Sequence, residues 1–81
     1  MNDTDTAISR VRAIVAEILA LGEDEIDDHA DLFEDYQADS LNLIEIVAQV
    51  EKQFKVVLPL DELPGARTIA ALDALLAAQT T

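Results

Sequence analysis

Apolar residues recur at helical spacing in three stretches of this sequence, and this spacing limits the fold more than any other feature. In the first stretch one face carries Ile8, Val11, Val15, Ile18 and Leu19. A second helix is predicted from about Ser40 to Phe54, with Leu43, Ile46, Val47, Val50 and Phe54 on one side. In the last stretch the inward residues are Ile69, Leu72, Leu75 and Leu76. Three amphipathic helices are therefore predicted.

Residues that begin or end helices separate these stretches. We expect the first helix to start after a cap at Asp3, Thr4 or Asp5 and to end at Gly22. Thr68 is expected to cap the last helix. Pro59 cannot continue the second helix, and the segment from Pro59 to the Pro64-Gly65 pair has room for only a helical turn or two.

The segment from Glu23 to Asp39 contains many acidic residues, no lysine or arginine, and no helical spacing of its apolar residues. Its apolar residues Ile26, Leu32 and Phe33 are expected to pin it to the core as a long loop. The stretch KVVL resembles a short strand but has no partner run. We therefore predict one domain over residues 1–81, all-α, folded as a small four-helix bundle of three main helices plus a short third helix.

Composition excludes several classes of function. The 17 acidic and five basic residues give a net charge of −12, which repels nucleic acid and favours basic partners. Without cysteine, a membrane-length apolar run or a secretion signal, the chain is expected to be cytoplasmic and not to bind membranes. We also expect a monomer.

The sequence offers little material for catalysis or metal binding. The single histidine, His29, lies in the acidic segment and is expected to be exposed or locally hydrogen bonded. The acidic segment also fails the EF-hand pattern, because the alternation of acidic residues breaks at Ile26 and Phe33 and the required glycine is absent. We predict no catalytic residue and no metal site.

Ser40 opens the second helix within the sequence DYQADSLNLIEI, and its position allows two roles. Serine is common at helix N-termini, where its hydroxyl accepts a hydrogen bond from an otherwise unpaired backbone N–H group. The positive end of the helix dipole would equally suit a phosphodiester on this hydroxyl, if another protein supplied the base and the metal.

A second apolar strip runs along the same helix, opposite the core face. It consists of Leu41, Ile44 and Ala48, with Glu45 and Lys52 beside it, and we call these five residues the outer strip. A surface of this kind suits a partner with an apolar groove and a basic rim. The alternative is that Ile44 packs beneath the acidic segment.

The stretch ADSLNLIEIVAQVEKQF resembles the modification site and second helix of acyl carrier proteins, and the resemblance extends over nearly the whole chain. It implies that a phosphopantetheinyl transferase attaches 4′-phosphopantetheine to Ser40, with Asp39 and Leu41 flanking it in the motif. It also implies a non-catalytic carrier that holds acyl groups as thioesters. The implied partners are acyltransferases, ligases or ketosynthase-type enzymes with basic docking surfaces. The implied docking residues are Leu41, Ile44, Glu45, Ala48 and Glu51.

Two positions depart from the pattern of many fatty-acid carriers, which have glycine at the position of Gln37 and an acidic residue at that of Asn42. These departures favour a discrete carrier of polyketide or related specialised biosynthesis. A general fatty-acid carrier and an aminoacyl, peptidyl or D-alanyl carrier remain alternatives. So does an acidic helical adaptor that is never modified.

Overall fold

The computed structural model describes residues 7–80, and within this range the chain forms four α-helices and no strand. The α-helices are α1 (Ala7–Leu19), α2 (Leu32–Asp35), α3 (Ser40–Phe54) and α4 (Ile69–Thr80). Two 3-10 helices occupy Glu23–Glu25 and Leu60–Gly65. The all-α prediction is confirmed, whereas the expected caps at Asp3, Thr4 or Asp5 lie outside the described residues.

The core forms where α1 packs against α3 and α4. Its largest fully buried side chains are Val11, Val15, Leu32, Ile46, Val50, Leu58, Ile69, Leu72 and Leu76. Residues of the predicted inward faces that lie nearer the edge are half-buried against this core, namely Ile8, Ile18, Leu19, Leu43, Phe54 and Leu75. The helical spacing therefore identified the core-facing sides of all three long helices.

The first helix ends earlier than the sequence indicated. Helix α1 stops at Leu19, and the left-handed residue that follows it is Ala20 (φ 61°), whereas Gly22 has an ordinary φ of −75°. The Leu21 N–H donates to the Ala16 carbonyl at 2.8 Å, as in a Schellman motif. This turn carries Leu21 back against the core, and its burial offsets the steric cost of alanine in the left-handed region. The prediction that Gly22 ends the helix was wrong.

The acidic segment is fixed to the bundle, as predicted, although it is less irregular than expected because it contains α2 and a 3-10 helix. Ile26 and Leu32 are buried. Two hydrogen bonds, of 2.8 and 2.7 Å, join the Arg12 guanidinium to the two carboxylate oxygens of Asp28. This bond from Arg12 holds the pKa of Asp28 below its ordinary value.

The predicted short third helix is the 3-10 helix Leu60–Gly65, which includes Pro64 and follows Pro59. Pro64 has no backbone N–H to donate within this segment, so a regular α-helix is disfavoured here. Helix α4 follows with the predicted cap, because the Thr68 hydroxyl accepts a hydrogen bond of 3.0 Å from the Ala71 N–H. Within residues 7–80 no helix is both long and apolar enough to cross a membrane.

Candidate functional site

Helix α3 is capped by Asp39, and Ser40 is its first helical residue. The Asp39 carboxylate accepts a 2.8 Å bond from the Asn42 N–H, and the Asn42 side-chain oxygen accepts a 3.0 Å bond from the Asp39 N–H. These reciprocal bonds form a capping box. The interpretation of Ser40 as the cap was therefore wrong, and its hydroxyl is not needed to begin the helix.

The Ser40 side chain is exposed and makes no hydrogen bond to any residue between 7 and 80. It lies at the edge of a groove of about 360 Å³ between α3, α2 and the 3-10 helix at Leu60–Gly65. The groove is lined by Phe33, Ser40, Leu43, Ile44, Leu63, Pro64 and Arg67. A second groove of about 260 Å³ shares Leu43, Ile44 and Leu63 and extends along α3 to Ala48 and Glu51. Apolar surface thus begins beside the serine hydroxyl and runs along the helix.

Arg67 brings a positive charge to the same groove. Its Nε donates to the Asp31 carboxylate at 2.7 Å, and its guanidinium carbon lies 4.7 Å from the centre of the Phe33 ring. The Asp31 carboxylate also accepts from the Phe33 and Glu34 N–H groups at the start of α2. The pKa of Asp31 is lowered, first by the hydrogen bond from Arg67 and next by the backbone bond from Glu34.

The sequence did not identify Arg67, Leu63 or Pro64 as residues near Ser40. They follow α3 by nine or more positions, and only the path of the chain from Phe54 to Ile69 brings them to the groove.

The outer strip of α3 faces solvent. Leu41 is 66% exposed and Ile44 is 62% exposed, and Glu45, Ala48 and Lys52 are exposed as well. Ile44 therefore does not pack beneath the acidic segment, although part of it borders the groove.

Two residues near the outer strip are more enclosed than we expected. Glu51, named as a docking residue by resemblance, is half-buried, and its Oε2 accepts a 2.8 Å bond from the Leu58 N–H. Leu43, expected in the core, is half-buried and lines both grooves. The Glu51 carboxylate therefore fastens the turn after α3, and Leu43 lies between the core and the groove.

The two positions that depart from many fatty-acid carriers have clear structural roles. Gln37 has φ 59°, the left-handed conformation that glycine adopts most easily. Asn42 completes the capping box with its neutral side chain. The backbone turn before Ser40 thus forms without glycine, and an uncharged side-chain oxygen accepts the bond from the cap residue.

The surroundings of Ser40 suit attachment better than catalysis. Among the described residues that line the first groove, beside Ser40, Arg67 is the one titratable side chain, and it cannot serve as a general base because its guanidinium stays protonated. His29 is exposed in the acidic segment, where its backbone N–H donates to the Asp27 carboxylate. An exposed hydroxyl at the positive end of a helix, beside an apolar groove, fits a phosphodiester-linked arm.

A comparison with protein families agrees with this geometry. The family model described as "Phosphopantetheine attachment site" (PP-binding) matches residues 9–76, a range that includes all of α3 and both grooves. Carrier domains of this kind are generally non-catalytic, and they work with a phosphopantetheinyl transferase and with biosynthetic enzymes. The chain therefore belongs to the phosphopantetheine-attachment family, and it is a carrier domain to which 4′-phosphopantetheine is covalently attached.

Proposed function

We propose that the Ser40 hydroxyl is the attachment point for 4′-phosphopantetheine and that residues 1–81 act as a discrete acyl carrier in polyketide or related specialised biosynthesis. The observation that carries the attachment residue is the exposed, unbonded hydroxyl at the first position of α3, beside the groove. When bound, the group supplies a flexible arm with a terminal thiol, on which acyl groups are held as thioesters.

The chain itself positions the Ser40 hydroxyl and surrounds it with a helix N-terminus and apolar side chains. Ser40 offers its hydroxyl to a phosphopantetheinyl transferase, which brings the base and the metal that the groove residues lack. Asp39 fixes the helix start, and the N–H groups of the first turn that lack an intrahelical partner would favour a phosphate on Ser40. Phe33, Leu43 and Leu63 provide apolar surface next to that position.

The outer strip is proposed as the surface on which partner enzymes dock. Leu41 and Ile44 supply exposed apolar area, and Glu45 adds a carboxylate for a basic rim. Acyltransferases, ligases or ketosynthase-type enzymes are the proposed partners. Of the residues first assigned to docking, Glu51 has the weakest support, because one of its carboxylate oxygens is bonded to Leu58.

Gln37 and Asn42 support a specialised pathway over general fatty-acid synthesis, because both depart from the residue pattern of many fatty-acid carriers. An aminoacyl, peptidyl or D-alanyl carrier is the second candidate, since the same groove and serine would serve it. An unmodified acidic adaptor would leave Ser40 without a use.

Intact mass spectrometry tests the attachment site. The chain is incubated with coenzyme A and a purified phosphopantetheinyl transferase, and we expect the mass of one phosphopantetheine group to be added. Ser40→Ala should prevent the addition, and Ser9→Ala, which changes the only other serine, should permit it. Addition to Ser40→Ala would refute the assignment, and no addition to the wild-type chain would favour the adaptor. Loading of the modified chain by acyltransferases or by adenylating enzymes would then distinguish acyl from aminoacyl cargo.

A further inference from the structure

The charge beside the outer strip changes sign along α3. Glu45 and Lys52 are both exposed and lie on the same side of the helix. They are seven residues apart, which corresponds to a rise of about 10 Å. Exposed charges separated by more than about 8 Å are largely screened from each other at physiological ionic strength. A partner therefore meets a negative site near Ser40 and a separate positive site further along the helix.

Neither Glu45 nor Lys52 forms an ion pair within the described part of the chain. The ion pairs among residues 7–80 involve Arg12 and Arg67, and none involves Glu45 or Lys52. Three and four residues from Lys52 the sequence has Ala48, Gln49, Lys55 and Val56, so no intrahelical pair with a carboxylate is possible. The same spacing from Glu45 reaches Leu41, Asn42, Ala48 and Gln49.

Other polar groups near the strip do not alter this pattern. The Glu51 carboxylate accepts the Leu58 N–H, and the Asn42 amide is neutral and bonded to the Asp39 N–H. The outer strip therefore presents the Glu45 carboxylate near its serine end and the Lys52 ammonium at its far end, where the exposed Lys55 at the C-cap adds a second positive charge.

We propose that the enzyme which loads this carrier has a docking surface with a basic group for Glu45 and, about 10 Å further from the serine, an acidic group for Lys52. This inference rests on the proposed function, because the enzyme must dock where it reaches the group on Ser40. If the carrier docked the other way round, Glu45 would face the acidic group of the enzyme and Lys52 its basic group. Lys52 thereby favours the orientation in which Ser40 lies towards the active site. Lys52 also disfavours enzymes in which the whole rim of the docking surface is basic, because it would be repelled there.

Lys52 has a competing structural role that the test must separate. It lies in the last turn of α3, where a positive charge is favoured by the helix dipole. The double variant Lys52→Gln with Gln53→Lys keeps the net charge and the last-turn cation. It moves the charge about 100° around the helix, away from the outer strip. Gln53 is exposed, so the new lysine does not enter the core.

The experiment uses the phosphopantetheine-modified chain and a purified acyltransferase or acyl ligase that has first been shown to load it. We would measure kcat/KM for loading of the wild type, Lys52→Glu and the double variant, together with their thermal midpoints. We expect Lys52→Glu to lower kcat/KM about tenfold and the double variant to lower it about threefold, with smaller losses at high salt. The double variant should keep its thermal midpoint.

Three results would overturn the inference. Faster loading of Lys52→Glu would show that the enzyme surface opposite residue 52 is basic and not acidic. Wild-type kinetics for the double variant would show that Lys52 acts only through net charge or helix stability. Loss of loading in proportion to lost thermal stability would show a structural role alone. Failure of the proposed function would be seen earlier and separately, as absence of the phosphopantetheine mass on Ser40.

Discussion

Ser40 and Asp39 are neighbours at the start of α3, and we predict that replacing each by alanine separates attachment from folding. Asp39 accepts the Asn42 N–H at 2.8 Å and allows Asn42 to accept the Asp39 N–H at 3.0 Å, whereas the exposed Ser40 hydroxyl forms no such bond within residues 7–80. Loss of an aspartate cap costs about 1 kcal/mol. For a domain of this size that lowers the thermal midpoint by about 4–8 °C.

Ser40→Ala should behave differently. Alanine has the highest helix propensity and Ser40 is an exposed first-turn residue, so the free energy of unfolding should change by less than about 0.5 kcal/mol. A cap role for Ser40 would instead have required a loss of about 1 kcal/mol. Asp39→Ala should still gain phosphopantetheine, because the hydroxyl is intact, whereas Ser40→Ala should gain none.

Urea unfolding and intact mass spectrometry after incubation with coenzyme A and transferase would measure both effects on the same samples. Asp39→Asn is a matched control, because asparagine also caps helices and should keep most of the stability. If Ser40→Ala lowered the urea midpoint as far as Asp39→Ala, the capping geometry described above would be wrong. A mass gain on Ser40→Ala would move the attachment site elsewhere.

Four further predictions concern the strip, the loop and its ion pair. Ile44→Ala should cost under about 1 kcal/mol and still slow modification or loading, whereas Ile46→Ala, the same change at a position only 1% exposed, should cost about 2–5 kcal/mol in urea unfolding. Glu45→Lys should lower the association rate with the transferase at low salt, with partial recovery as salt rises; a normal rate at low salt would refute electrostatic docking. Asp28→Asn should lower the free energy of unfolding by about 1 kcal/mol at neutral pH, as measured by urea unfolding. Since the pKa of Asp28 is lowered on folding, this difference should vanish as pH falls below the ordinary value of 3.8 and through the folded pKa. Gln37→Gly should raise the thermal midpoint, because φ 59° favours glycine, and an unchanged or lower midpoint would show that the glutamine is not strained.

The sequence predicted those parts of the fold that depend on periodic burial. Thr68 capped α4 as predicted, and the α3 boundaries Ser40–Phe54 were correct, because apolar spacing and a single breaker determine them locally. The end of α1 was predicted wrongly because a search for glycine found Gly22. The chain instead turns at Ala20, where two backbone hydrogen bonds close the helix end and Leu21 packs half-buried against the core.

At the start of α3, the sequence had to distinguish between two adjacent candidates for the N-cap, Asp39 and Ser40. Both Asp39 and Ser40 are good caps by residue type, but the residue three positions later differs. Asp39 has Asn42 there, which can return a hydrogen bond, and Ser40 has Leu43, which cannot. This pairing was a usable signal in the sequence. By contrast, the approach of Arg67 to the groove depends on tertiary packing that no local pattern encodes.

The apolar faces of α3 differ in what they contribute to stability. Ile46, Val47 and Val50 are buried, but Leu41 and Ile44 remain more than 60% exposed. Fully burying a side chain of this size is worth about 1.5–3 kcal/mol, and about two thirds of each is exposed, so together the pair forgoes about 2–4 kcal/mol of possible stabilisation. That is a large fraction of the about 4–12 kcal/mol expected for a domain of this length. A partner surface that covers the pair would recover this free energy on binding, and it would do so within one helical turn of Ser40. The exposed pair therefore places apolar attraction for a partner where the proposed attachment point must be reached.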